Sequence, residues 1–122
     1  MAWSLNADRP IYSQIVERLE TQIVSGQYKP GDKLPSVREL AAEAGVNPNT
    51  MQKAFADLER SGLIITQRTS GRTVTEDVAM IQQIQKSLAT EQILSFFERM
   101  EELGYDKENT LKLMELISKE AK

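Results

Sequence analysis

Short polar side chains cluster in the stretch GVNPNTMQKAF, residues 45 to 55. Asn49 and Gln52 carry amides, which both donate and accept hydrogen bonds, while Thr50 adds a hydroxyl and Lys53 an ammonium. Base edges in the major groove of duplex DNA offer donor and acceptor patterns that amides can match, while a hydroxyl suits bases or phosphate and an ammonium suits guanine or phosphate. The stretch therefore has chemistry suited to reading DNA, although the same residues would also suit a solvated helix face.

The composition leaves little room for catalysis. The chain contains no cysteine and no histidine, which removes thiolate chemistry, the commonest general base and the commonest metal ligand. Glu101 and Glu102 are paired in sequence, but adjacent positions of a helix point apart. We therefore expect no catalytic residues, no metal site and no cofactor, and we do not expect an enzyme.

A short helix is predicted ahead of the polar cluster. Ser36 followed by Glu39 is a capping box, in which each side chain satisfies a backbone N–H at the helix start, and Gly45 ends the helix. Ser36 at this N-terminus and Arg38 in the first turn are suited to contact the phosphate backbone.

The polar cluster itself opens the next predicted helix. Asn47 is expected at the N-cap and Pro48 at the first helical position, and the helix runs to about Ser61 and stops at Gly62. Asn47 taken alone is more simply a cap than a DNA contact. Two short helices joined by a turn this tight form a helix-turn-helix. The buried side of the second of them is predicted to consist of Met51, Ala54, Phe55 and Leu58.

One helix precedes this unit and a hairpin follows it. An apolar residue every fourth position predicts a helix from Pro10 to about Gly26. After Gly62, the β-branched stretches LIIT and TVT flank the turn QRTSGR and predict a small hairpin. Helix-turn-helix and hairpin together make a winged helix, with Arg68, Gly71 and Arg72 as candidate DNA contacts on the wing. The two arginines are individually as consistent with ordinary surface charges, and Gly71 is more simply a turn requirement.

The last part of the chain is predicted to be a helical tail. One long helical pattern runs from Glu76 to Glu102, with a kink or a break left open near Ala89, and a final helix begins near Asp106 and buries Leu111, Met114 and Ile117. Two helices cannot bury so wide an apolar surface against each other, so dimerisation is favoured over a monomeric helical cap. The predicted dimerisation residues are Ile81, Ile84, Leu88, Ile93, Phe97, Met100, Leu111, Met114 and Ile117.

The distribution of charge separates the two parts. The chain of 122 residues has a net charge of -3, but residues 9 to 75 hold nine Lys/Arg against seven Asp/Glu, whereas residues 76 to 122 hold six against ten. A basic part and an acidic part suggest separate tasks. No stretch resembles a membrane span or a signal peptide, so we expect a cytoplasmic protein without a membrane partner.

The stretch from "PGDKLPSVRELA" through "VNPNT" to "LERSGLI" resembles the DNA-binding domain of GntR-type bacterial transcription regulators, over roughly residues 9 to 75. The Asn-Pro-Asn-Thr helix start and the tail of 47 residues resemble the short YtrA-like branch. The chain departs from some members at Pro48, where they carry an arginine, and after Gly71, where the usual aromatic is absent. By the matching motifs, the resemblance implies DNA contacts from Arg38, Asn47, Asn49, Thr50, Gln52 and Gly71.

The resemblance also implies a homodimer that binds double-stranded operator DNA with two-fold symmetry and represses transcription, with transporter genes as targets by analogy. Ligand-binding members carry a larger effector domain, and we expect this chain to lack one. The sequence does not identify a small-molecule effector. The expected fold is mainly α with a small β-hairpin: a winged helix-turn-helix over residues 9–75 and a two-helix dimerisation tail over residues 76–122. The alternative is a winged helix used as a protein-interaction module without specific DNA reading.

Overall fold

The computed structural model describes residues 3–69 and 71–121. Its elements, in chain order, are α1 (Ile11–Val24), α2 (Val37–Ala44), α3 (Pro48–Ser61), β1 (Ile64–Gln67), β2 (Gly71–Val74), α4 (Val78–Glu102) and α5 (Lys107–Glu120). The expectation of a mainly helical chain with one small antiparallel hairpin is confirmed.

Helices α1, α2 and α3 enclose the core of the winged helix. Each contributes the apolar stripe that its sequence period predicts, and α3 packs against both of the others. Met51 and Phe55 of α3 are completely buried, as is Ile15 of α1. Helix α1 is slightly shorter than expected, because Pro10 is its N-cap rather than its first residue and the helix ends at Val24. The buried apolar side chains on these three helices are Ile15, Leu19, Ile23, Leu40, Ala41, Ala44, Met51, Ala54, Phe55 and Leu58.

The wing is the predicted hairpin, widened by the loop before α2. Strands β1 and β2 pair antiparallel, with Ile64 opposite Val74 and Gln67 opposite Gly71. The loop at residues 31–34 runs along the other edge of β2, where Leu34 N–H donates to the carbonyl of Arg72 at 2.9 Å. The wing is thereby fixed at both edges of β2. Ser70, part of the predicted turn, lies outside the described residues.

The segment before α1 is fastened to the domain. The Gln14 amide donates to the Asn6 carbonyl and accepts from the Asn6 N–H, both at 2.7 Å. Trp3 is nearly buried, and its backbone N–H donates to the Ala44 carbonyl at 3.1 Å. Trp3 therefore belongs to the core of the domain.

Helix α4 begins within the compact unit of the winged helix, which extends to Gln85. Ile81 is only 7% exposed and belongs to the core of this unit, with Ile84 packed against the same core. The prediction of Ile81 as a dimerisation residue is therefore not supported, because its side chain is already used within the fold. Helix α4 continues without a break through Ala89, which answers the question that the sequence pattern left open.

Residues from Lys86 onward form the second compact unit, which contains the rest of α4 and all of α5. Helix α5 starts where predicted, with Asp106 as N-cap accepting from the backbone N–H of Asn109. The expectation that Leu111, Met114 and Ile117 are buried is wrong for a single chain, since they are 55%, 43% and 51% exposed. The helical spacing of these residues is correct, but no other part of the described chain covers them. In the described part of the chain, no helix combines the length and apolar character needed to cross a membrane.

Candidate nucleic-acid interface

The N-terminus of α3 is fixed by its cap. The side-chain oxygen of Asn47 accepts from the backbone N–H of Asn49 at 2.8 Å, and the Asn47 carbonyl accepts from Thr50 and Met51. Pro48 occupies the first helical position. Gly45, with a φ of +76°, makes the sharp turn between α2 and α3, a backbone conformation that glycine adopts without steric cost. The predicted helix-turn-helix is present and tightly held.

Polar side chains are displayed along the exposed side of α3. Asn49 and Gln52 are exposed, Thr50 is half-buried, and among the described residues neither amide is hydrogen-bonded to another part of the protein. Their donors and acceptors are therefore available to an external partner. The expected display of polar groups at the start of α3 is present, and DNA contact by these three residues stays a prediction.

Lys53 lies on the same side of the helix and contacts α1. Its Nζ is 4.0 Å from the centre of the Tyr12 ring, a distance at which the ring face attracts the ammonium group. The side chain is still exposed. Tyr12 thus orients the predicted cation, a role that the sequence pattern did not suggest.

The N-terminus of α2 has the predicted capping box. Ser36 Oγ accepts from the Glu39 N–H and the Glu39 carboxylate accepts from the Ser36 N–H, both at 3.0 Å. The bond from the Ser36 backbone lowers the pKa of Glu39, and Lys33 lowers it further. Arg38 is exposed and forms no hydrogen bond or ion pair within the described residues. Its guanidinium therefore remains available to a phosphate.

The wing contains two arginines in different surroundings. Arg68 is exposed at the hairpin turn. Arg72, in contrast, forms an ion pair of 3.2 Å with Glu59 of α3 and is only 24% exposed. Gly71 has a φ of +81°, a backbone conformation that favours glycine at this position. Arg68 is therefore an accessible cation, whereas the guanidinium of Arg72 is paired within the protein.

A cleft of about 330 Å³ lies between the wing and the start of α2, with Lys33, Ser36 and Thr69 in its lining. Lys33 is exposed and its neighbour Leu34 bonds to the wing. Neither Lys33 nor Glu59 is a candidate contact on sequence grounds. The only sequence signal for Lys33 was its charge in a loop, while Glu59 gave no signal that distinguished it from a solvated acid.

Within the described part of the chain, the amides of α3 are unpaired, and exposed cations lie at the start of α2 and on the wing. These features define a DNA-binding protein of the winged helix-turn-helix class. The chain matches the family "Bacterial regulatory proteins, gntR family" over residues 11–74. It belongs to the GntR family and is a DNA-binding transcription regulator rather than an enzyme.

Three similar proteins support this assignment. The transcriptional repressor YtrA of Bacillus subtilis is 50% identical over 68 residues, which cover 56% of this chain and 52% of YtrA, so this match spans about half of that relative. A GntR family regulator from Listeria monocytogenes has a TM-score of 0.84 and 42% identity, covering 94% of this chain and 98% of that structure. AraR(DBD) in complex with operator ORX1 has a TM-score of 0.53 and 30% identity, covering 62% of this chain and 92% of that domain. The resemblance to the YtrA-like branch is confirmed.

Proposed function

We propose that the protein is a homodimeric repressor that binds a two-fold symmetric operator by placing α3 in the major groove of each half-site. The observation that carries this proposal is the pair of unpartnered amides, Asn49 and Gln52, on the exposed side of a firmly capped helix. Such amides discriminate between base pairs because each donates and accepts at one base edge. Residues 9–75 carry the DNA-binding function in this proposal.

Base reading is assigned to the start of α3. Asn49 and Gln52 contact base edges, and Thr50 contacts a base or the adjacent phosphate. Asn47 uses its side-chain oxygen for the cap, but its amide nitrogen can still donate to the DNA. Ala56, which is half-buried on the outward side of α3, allows close approach of the helix.

Phosphate contacts are assigned to residues on both sides of α3. Ser36 and Arg38 at the start of α2 contact one part of the DNA backbone, and Lys53, beside Tyr12 of α1, contacts another phosphate. Arg68 and the Gly71 backbone lie at the wing and contact the adjacent groove or its phosphates. Arg72 is the weakest of the predicted contacts, because its guanidinium is paired with Glu59.

Dimerisation is assigned to the tail over residues 76–122, with the interface on the part after Lys86. A large exposed apolar patch usually marks an interface. The apolar residues at least half-exposed on this part of the tail include Ile93, Leu94, Leu111, Leu116 and Ile117. Leu88, Phe97 and Met100 are partly buried in the single chain and complete the proposed surface together with Met114. Two-fold pairing presents two α3 helices, so half-sites are separated by one or more helical turns of DNA.

Repression follows if the operator overlaps a promoter, and the similarity to the YtrA-like branch suggests transporter genes as targets. The description of YtrA as a repressor supports the direction of regulation.

Selection of bound duplexes from a randomised pool tests the proposal, at about 150 mM salt to suppress purely electrostatic binding. We expect enrichment of an inverted repeat. A variant with Asn49→Ala and Gln52→Ala, checked for folding by circular dichroism, provides the control and should lose the motif while retaining weak nonspecific binding. Recovery of no motif by the folded protein, or of an unchanged motif by the double variant, would contradict the proposal.

A further inference from the structure

Glu59, near the end of α3, contacts both strands of the wing. Its Oε1 accepts from Arg72 Nε of β2 at 3.2 Å, and its Oε2 accepts from Thr66 Oγ1 of β1. Thr66 and Arg72 are directly opposite each other in the hairpin register. One carboxylate on α3 therefore contacts both members of a cross-strand pair of the wing.

Arg72 has a second contact with the same helix. The centre of its guanidinium lies 5.2 Å from the centre of the Phe55 ring, and Phe55 is completely buried on α3. The side chains of Glu59 and Arg72 are only 30% and 24% exposed, so solvent screens their attraction less than that of a fully exposed pair. These contacts join the wing to α3 through charge, hydrogen bonding and packing at one point.

We infer that Glu59 is a positioning residue for DNA recognition, which sets the angle of the wing relative to α3 through Arg72 and Thr66. This inference rests on the proposed function, because it supposes that α3 and the wing contact one half-site together. Arg68 and Gly71 lie on the same hairpin as Arg72, so an unfastened hairpin would carry both away from the DNA backbone. Arg72 then acts inside the protein, as the partner of Glu59, rather than on a phosphate.

The direction in which DNA affinity changes on removing the Glu59 charge distinguishes a positioning role from simple electrostatics. Removing a negative charge from a DNA-binding domain ordinarily strengthens its binding to the polyanion. If Glu59 only neutralises an arginine that would otherwise bind DNA, Glu59→Gln should tighten binding. If Glu59 positions the wing, the same substitution should weaken it.

The test measures operator affinity and hydroxyl-radical footprints for the full chain with Glu59→Gln, Arg72→Gln and the charge exchange Glu59→Arg with Arg72→Glu. We expect each single variant to lose about tenfold in affinity and to lose protection on the wing side while keeping it at the centre of the half-site. The charge exchange should recover most of the affinity and the wing protection, since opposite charges would again face each other between α3 and β2. A direct DNA contact by Arg72 predicts the opposite, because a carboxylate at position 72 would repel phosphate.

Asp57→Asn provides the matched control, since Asp57 is an acid of the same helix that pairs within that helix with Arg60. It should bind as tightly as the wild type or more tightly, with an unchanged footprint. Glu59→Gln that binds like Asp57→Asn, or a loss of protection spread evenly over the site, would overturn the inference.

Hydrogen exchange in the free protein gives a readout that does not depend on an operator. Backbone amides of β1 and β2 should exchange faster in Glu59→Gln, while those of α1 should not change. If the wild type binds no operator, the proposed function fails, and unchanged hairpin exchange would separately refute the positioning role.

Discussion

The side-chain oxygen of Asn47 accepts a 2.8 Å hydrogen bond from the backbone N–H of Asn49. The residue that caps α3 is thus bonded to a residue proposed to contact a base edge. Asn47 thus has a capping role and a proposed role in DNA binding, and substitutions can separate the two.

Replacing Asn47 with alanine should lower the free energy of unfolding by about 1 kcal/mol, because one backbone N–H loses its acceptor. Asn47→Asp should keep the stability, since aspartate is an equally good cap. The aspartate should nevertheless weaken operator binding, because it removes the amide donor and brings a negative charge close to the DNA. Urea unfolding and binding titrations on both variants check this, and wild-type affinity in Asn47→Asp would mean that Asn47 is a cap only.

Substitution of Lys53 by glutamine should weaken binding to all duplexes to a similar degree and reduce the dependence of log K on log salt by about one. The reason is that the ammonium, held 4.0 Å from the Tyr12 ring centre, is assigned to a phosphate rather than a base. Affinities measured over a series of salt concentrations give the slope. Lys119→Gln, which removes the same charge from α5, should leave the slope unchanged, and an equal change in both variants would contradict the assignment.

Ile117→Asp should convert the proposed dimer to monomers and lower operator affinity, since it places a charge in the proposed apolar interface. Ile117 is 51% exposed in the single chain, so a monomeric protein should tolerate the change with little loss of stability. Sedimentation velocity over a range of concentrations measures the assembly state. Ser118→Asp, a neighbouring exposed position on the same helix, adds the same charge as a control. If Ile117→Asp sediments like the wild type, the interface lies elsewhere or does not exist.

Glu39 should make stability depend on pH on the acid side. Hydrogen bonding from Ser36 lowers the pKa of Glu39 in the folded chain, so the folded state favours the ionised carboxylate. The contribution is therefore fully present above the unfolded-state pKa of about 4.3 and is lost as the pH falls through the folded value. Glu39→Gln keeps the capping geometry without the titrating group.

The melting temperatures of the wild type and Glu39→Gln, compared at neutral pH and at about pH 3, measure this contribution. We expect the wild type to be more stable at neutral pH and the difference to shrink in acid. Glu91→Gln, at an exposed position of α4, controls for the general loss of one negative charge. A difference that is constant with pH would contradict the prediction.

Local chemistry made much of the fold predictable. Ser36 and Glu39 are three residues apart, and Asn47 is two residues from the N–H that it caps. Hydrogen bonds between residues so close in sequence depend mainly on the local backbone. Residue type and spacing are therefore enough to place both helix starts. The apolar periods of α1 and α3 similarly identify their buried sides, because helical geometry brings every third or fourth residue to one face.

The tail shows where periodicity stops being informative. The spacing of Leu111, Met114 and Ile117 correctly indicates one apolar side of a helix, but it does not say what covers that side. Ile81 has the same pattern as the residues after it and yet is buried in the winged-helix core. A period gives the direction of a side chain about its own helix axis, whereas its neighbour depends on how helices pack.

By itself, therefore, the sequence determined the helices, their caps, the hairpin and the polar surface of α3, since each rests on interactions between residues close along the chain. Tertiary structure alone decided which of the wing arginines is engaged, because Arg72 and its partner Glu59 are thirteen residues apart and on different elements. It also placed Trp3, whose indole N–H donates to Glu43 across forty residues. Such contacts require the chain to fold before the groups meet, and no local pattern of residue types encodes them.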